Sequence, residues 1–154
     1  MVVEELEFRH AESDEEIAVC FPLMALLRPH LVDAAELVRR VGVQRKQDYH
    51  LLVAWRQSTP IGLAGYRFHE MLVRGPAIYV DDLVVADTER RHGLGARLLD
   101  EVAAIGRRQN CVALVLDTAM GNSLGQRFYF RYGLLARGLH FAMPLRSQPQ
   151  GADA

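Results

Sequence analysis

The stretch RRHGLGARLL, residues 90–99, leaves a β-branched and apolar run ending at Val84-Val85 and opens a long helical pattern. From Leu94 the apolar positions fall at 94, 98, 102 and 105, with 95, 99 and 103 beside them, while Arg97, Asp100, Glu101, Arg107 and Arg108 face away. Upstream, AIYVDDLVV (residues 77–85) reads as a strand bounded by Gly75-Pro76. A strand, a glycine-bearing turn and a helix in that order suit an anion, because the leading N–H groups of a helix lack intrahelical partners and its dipole favours negative charge. Gly93 and Gly95 remove Cβ atoms where phosphate oxygens would approach, and Arg90, Arg91 and His92 set positive or protonatable groups at the rim. The dinucleotide fingerprint requires a third glycine where Leu98 stands, and a P-loop requires a Gly-Lys-Ser/Thr ending that is missing. Both common nucleotide-binding readings are weakened.

Outward from this core, the hydrophobic period changes several times. Leu6 and Phe8 alternate with polar residues as a first strand does, and Asp14 is read as the N-cap of a helix through Leu27 that breaks near Cys20 because of Pro22. A second helix is expected from Asp33 to Gly42. Residues 50–70 read as a hairpin turning at Ser58 to Pro60. CVALVLDT (111–118) reads as a strand covered on both faces, SLGQRFYFRYG (123–133) as a short helix stopped by Gly133, and LLARGLHFAMPL (134–145) as a returning strand. The order is strand, two helices, three strands, helix, strand, helix, strand, a mixed α/β pattern. One domain over residues 1–146 is expected, with a flexible tail at 147–154.

Composition narrows the partners. Half of the 154 residues are apolar, the formal net charge is −1, and the 18 basic residues are scattered, which argues against a nucleic-acid surface and for a small-molecule partner. Two cysteines, Cys20 and Cys111, give neither a disulfide framework nor zinc spacing, so a cytoplasmic setting without a metal is expected. The acidic start (Glu4, Glu5, Glu7) and the shortness of the longest apolar run, Val112–Leu116, predict neither a secretory leader nor a membrane span. Apolar stretches near the C-terminus leave room for a homodimer.

The pattern Arg-x-x-Gly-x-Gly at residues 90–95 resembles the acetyl-CoA-binding motif of the GNAT N-acetyltransferases, and NSLGQRFYFRYGL (122–134) is similar to that family's second signature. The resemblance runs from about Ala77 to Phe141, and IYVDDLVV looks like the family's central strand, its acidic pair similar to that of the polyamine acetyltransferases. LRPHL (27–31) and HF (140–141) look like those of a group of small family members. The resemblance implies a mostly antiparallel twisted sheet of six to seven strands, flanked by about four helices and splayed at the central strands. It implies acetyl-CoA as cosubstrate, with its pyrophosphate on Arg90, Arg91, His92, Gly93, Gly95 and Ala96 and its pantetheine arm on the main chain of Leu83, Val84 and Val85. Asn122 would bond the arm from the other side, and Tyr129 would protonate the departing thiolate.

Acetyl transfer to an amine calls for a base, because an amine with a pKa of about 10.4 costs roughly 4–5 kcal/mol to deprotonate at pH 7. Asp81 and Asp82 are the candidates, directly or through a water; Asp81 is favoured because it occupies the position of the acidic residue in the polyamine enzymes, while Asp82 could shape the pocket or hold its wall. Successive residues of a regular strand point to opposite faces, so only one of the two would reach the acceptor unless the strand is bulged. Plainer roles stand beside these. Asp81 and Asp82 could be solvated or paired with Arg67 or Arg74; Tyr129 could be part of an aromatic core; Asn122 could cap a helix; Arg28 could contact an anionic group of the substrate or, the favoured reading, lie on the surface at a helix end; and His140 could be a packed strand residue. Two functions follow: direct acetyl transfer to a small primary amine in a ternary complex, or a CoA-binding sensor that has lost transfer.

Overall fold

A computed structural model describes residues 5–147. It divides into two compact units, one reaching Leu116 and the other beginning at Asp117. The first contains a five-stranded sheet in the order β1-β2-β3-β4-β5, formed by Leu6–His10, Tyr49–Arg56, Thr59–Met71, Gly75–Val85 and Ala113–Leu116. The first four strands are antiparallel neighbours, and β5 joins β4 in parallel. A parallel pair needs a crossover, supplied by the helix Leu94–Arg108.

Between β1 and β2 run three helices, α1 (Asp14–Val19), α2 (Phe21–Leu27) and α3 (Ala34–Arg45); the crossover helix is α4. The break expected near Cys20 is present, and Pro22 sits in the first turn of α2, where its missing N–H costs nothing. Two boundaries differ from the sequence reading. The cap of α1 is Ser13, not Asp14: its hydroxyl accepts from the Glu16 N–H at 3.1 Å and the Glu16 carboxylate accepts from the Ser13 N–H at 3.3 Å, a reciprocal capping box. Helix α3 is capped by Asp33 as expected but continues through Gly42 to Arg45, whose guanidinium donates to the Ala11 and Glu12 carbonyls at 2.7 and 2.9 Å and offsets one glycine's propensity cost of about 1 kcal/mol.

Leu51, Val53 and Trp55 of β2 and Leu63 of β3 pack with Ile17, Met24, Leu37 and Val41 of the first three helices. On α4, Leu94, Leu98, Leu99, Val102 and Gly106 are buried, the stripe legible in the sequence. The hairpin β2–β3 turns at Gln57-Ser58, with Pro60 already in β3 opposite Trp55, and a register shift falls beside that pair. Strand β5 is half-buried along its length rather than covered on both faces.

In the second unit, α5 spans Ser123–Tyr132 and ends at Gly133, where the Gly133 N–H donates to the Phe130 carbonyl at 3.2 Å and the Leu134 N–H to the Tyr129 carbonyl at 3.0 Å. Residues 134–145, expected as a strand, form no regular element; Leu139, Phe141, Met143 and Leu145 are exposed. The fold is therefore the expected mixed α/β class with a mostly antiparallel sheet, but with five strands and five α-helices among the described residues instead of six to seven and about four. Most of the proposed tail, 148–154, lies outside the described residues.

Candidate active site

Strand β4 carries an extra residue. Val80 pairs with Tyr66 and Asp82 with Gly65, which leaves Asp81 without a partner across the β3–β4 ladder. This is a β-bulge. On the other side, the ladder to β5 runs from Ala77 to Val80 and ends there, although β4 itself continues to Val85. Among the described residues no strand pairs with Leu83–Val85 on that edge, which suits its outward main-chain groups to an extended ligand rich in amides.

The bulge also settles where the two carboxylates go. Asp81 and Asp82 both line one cavity of about 580 Å³, together with residues of α2, α3 and β2. Asp82 is buried, and its oxygens accept from the Tyr49 hydroxyl at 2.7 Å and from Arg28 Nε at 2.9 Å. Arg28 Nη2 also donates to the Asp81 carbonyl at 2.9 Å. Asp81 is half-buried, and its carboxylate accepts from Arg67 Nε at 2.8 Å. Burial pushes the Asp81 carboxyl above its ordinary value of 3.8; Arg67 opposes the rise without cancelling it. A carboxylate raised in this way is a stronger base.

Tyr49 reaches Asp82 only because position 65 is glycine. A Cβ on Gly65 would lie 1.9 Å from the Tyr49 hydroxyl oxygen and 2.8 Å from Asp82 Oδ2. Burial, then the neighbouring carboxylate of Asp82, hold the Tyr49 phenol well above the ordinary tyrosine range, so it is a donor at every working pH. Tyr49 was not singled out in the sequence, where a tyrosine opening a strand carries no local signal. Arg28 was read as a surface residue; its side chain is instead bonded to both members of the acidic pair, across more than fifty positions of chain.

After β4, a short 3₁₀ turn (Asp87–Glu89) leads to α4. Arg91 adopts φ 67° and Gly93, the residue before α4, φ 78°; a Cβ at Gly93 would meet nothing within 4 Å, so glycine is needed there for its backbone conformation. No side chain caps α4. Its leading N–H groups, and the exposed Arg91, His92 and Gly93 before them, face an open approach, which fits a diphosphate. Gly95 and Ala96 are in the first turn of α4 and half-buried, and Arg90 pairs with Asp87 at 3.0 Å.

In the second unit, Asn122 caps α5: its Oδ1 accepts from the Gly125 N–H at 3.0 Å and its Nδ2 donates to Thr118 Oγ1 at 3.0 Å. A Cβ at residue 125 would come within 2.4 Å of that amide, a reason for glycine there. Tyr129 is half-buried beside Phe128, and burial, followed by the charge of Asp117, raises its hydroxyl pKa. His140 lies near Asp117, 3.4 Å between ring nitrogen and carboxylate. Among the described residues no three His, Cys, Asp or Glu side chains form a set able to hold a metal ion, and no helix is long and apolar enough to cross a membrane.

Comparison with known proteins follows the same lines. Residues 13–134 match the family described as "Acetyltransferase (GNAT) family". A Bacillus subtilis (strain 168) protein described as an uncharacterized N-acetyltransferase, YhdJ, is 25% identical over 124 residues, covering 80% of this chain and 87% of the relative. Among solved structures, an acetyltransferase of Trypanosoma brucei superposes with a TM-score of 0.76 at 23% identity, over 92% of this chain and all (100%) of the other. The protein AAC(6')-Iy, solved with the bisubstrate analogue CoA-S-monomethyl-acetylneamine, gives 0.78 at 18% identity, over 93% and 99%.

Proposed function

This chain belongs to the GNAT acetyltransferase family and is a transferase, and from that membership we propose that it moves the acetyl group of acetyl-CoA directly onto a primary amine of a small molecule. The observation that carries the reading is the early end of the β4–β5 ladder at Val80, followed within the same segment of chain by the uncapped start of α4. The first offers free main-chain groups to a pantetheine arm along Leu83–Val85; the second offers N–H donors from Arg91 to Ala96 to a diphosphate, with Arg90 at the rim. Similarity to a protein solved with a CoA bisubstrate analogue supports the same cosubstrate.

Asp81 is the base in this reading. It takes one proton of the ammonium group, the amine nitrogen attacks the thioester carbonyl carbon, and the carbon–sulfur bond breaks as the amide forms, the thiolate taking a proton from Tyr129 and the second proton of the nitrogen passing to solvent. A backbone N–H near Val84 is assigned to the carbonyl oxygen as it becomes negative. Asp82, tied to Tyr49 and Arg28, holds the wall of the pocket and fixes the bulge on which Asp81 sits. Asn122 and Tyr129 keep the parts the resemblance gave them, arm binding and protonation of the leaving thiolate, on sequence grounds.

Asp81→Asn should lower kcat by about 10²- to 10⁴-fold, the usual contribution of a positioned base, while CoA binding by calorimetry stays intact. The pairing of Asp81 with Arg67 favours the second reading, a CoA-binding sensor in which the acidic pair is structural. Acetyl-CoA-dependent thiol release with a panel of amines separates the two: CoA binding without any release supports the sensor, and no affinity for CoA removes both.

A further inference from the structure

The cavity beneath the acidic pair carries more positive than negative charge. Each of its carboxylates already has an arginine: Arg28 sits 2.9 Å from Asp82 and Arg67 2.8 Å from Asp81. From α3, Arg39 and Arg40 also line the cavity. These two share a single carboxylate, Glu36, at 3.8 and 2.8 Å, and Glu36 additionally accepts the Val32 N–H at 2.8 Å. Among the lining residues the guanidinium groups of Arg28, Arg39 and Arg40 thus stand against the carboxylates of Asp81 and Asp82, and Arg39, which also borders a second hollow with Asp14 and Glu15, is the more solvent-exposed of the α3 pair, at 68% of its side chain against 49% for Arg40.

A polycation would find no unpaired carboxylate here and would meet the field of Arg39 and Arg40. An amine bearing a carboxylate or phosphate meets the opposite situation: its amino end can lie against Asp81 while its anionic end takes the fork donors of the α3 arginines, which suit planar or tetrahedral oxyanions. We propose that the acceptor is a small amine that also carries an anionic group, held by Arg39 and Arg40. The proposal rests on the acetyl-transfer reading for the identity of the cavity as the acceptor site.

Two matched pairs test it: β-alanine against β-alaninamide, and glucosamine 6-phosphate against glucosamine, with spermidine as the polycation. Calorimetric titration of CoA into the full chain is run first and examines the acetyl-transfer reading alone. Each amine is then titrated with and without CoA, and thiol release is followed with acetyl-CoA. In at least one pair the anionic member should bind about tenfold more tightly, or about 1.4 kcal/mol, and the Arg39→Gln/Arg40→Gln variant should reduce that ratio below about threefold. Since both arginines project from an exposed helical face, circular dichroism of the variant should match that of the parent. Equal binding within both pairs, tighter binding of spermidine, an unchanged ratio in the variant, or no binding of any amine overturns the proposal. Absence of CoA binding alone overturns the acetyl-transfer reading, and the amine ratios still decide this one.

Discussion

Adding one methyl group at Gly65 should both destabilise the fold and disconnect Tyr49 from Asp82. The new Cβ would lie 1.9 Å from the Tyr49 hydroxyl oxygen and 2.6 Å from its ring carbon Cζ, and both belong to a side chain only 2% exposed with little room to retreat. Forcing the ring aside is an overpacking change, about 1–3 kcal/mol. Losing the hydrogen bond to a carboxylate adds about 1.5–3 kcal/mol. Removing a glycine from a strand returns about 0.5–1 kcal/mol. Gly65→Ala should therefore cost about 2–5 kcal/mol, a large part of the roughly 5–15 kcal/mol that holds a domain together. Tyr49→Phe alone should cost about 1.5–3 kcal/mol by leaving Asp82 short of a donor. In the double variant the hydroxyl is lost only once, although Cζ still crowds the new methyl. Its cost should then fall below the sum of the single costs by about 1.5–3 kcal/mol. Urea unfolding with a common m-value measures all three. Additivity within about 0.5 kcal/mol, or a Gly65→Ala protein as stable as the parent, would refute the reasoning.

Other expectations concern separate regions. Ser13→Ala removes half of the capping box of α1 and should cost about 1 kcal/mol, read as a lower urea midpoint. Asp81 is raised above its ordinary 3.8 by burial, so the folded state keeps its proton to higher pH than the unfolded chain. Its contribution to stability is fully present below that ordinary value and is lost as pH rises through the folded one. The stability of the parent relative to Asp81→Asn should fall as pH rises above the ordinary carboxyl value of 3.8, and a rise there would contradict the assignment. Burial pushes the Cys20 thiol up to about 12, whereas Cys111 is raised but only half-buried. Iodoacetamide at pH 8 should label Cys111 first and reach Cys20 only on unfolding, as peptide mapping would show.

Local patterns were legible in the chain, and long-range pairings were not. The stripe of α4, the strand before it and the break at Cys20 follow from spacing within a dozen residues, and each is present. Ser13 as cap was available from the Ser-x-x-Glu spacing, which outranks Asp14 because both partners of the box are satisfied. Gly42 misled, since the turn beyond it is tied back by a long-range contact: Arg45 donates to the carbonyls of Ala11 and Glu12 at 2.7 and 2.9 Å. The alternation of Leu139, Phe141, Met143 and Leu145 reads as a strand, yet period two supplies only a face, while a strand also requires a neighbour to accept its hydrogen bonds. In the site, the acidic pair and the glycine turn were visible as motifs. Tyr49 was not, and Arg28 was visible only as a cation at a helix end, because what makes them part of the site is a fold that brings residues 28, 49, 65 and 82 together.

The unmatched residue at position 81 sets the sheet's regularity against its chemistry. A one-residue deletion there would let β3 and β4 pair without interruption, at the cost of the bonds that Arg67 and Arg28 now make to residue 81. It would also leave one carboxylate where two now line the cavity. On the acetyl-transfer proposal, a relative with an uninterrupted ladder at this point has lost the position that carries the base.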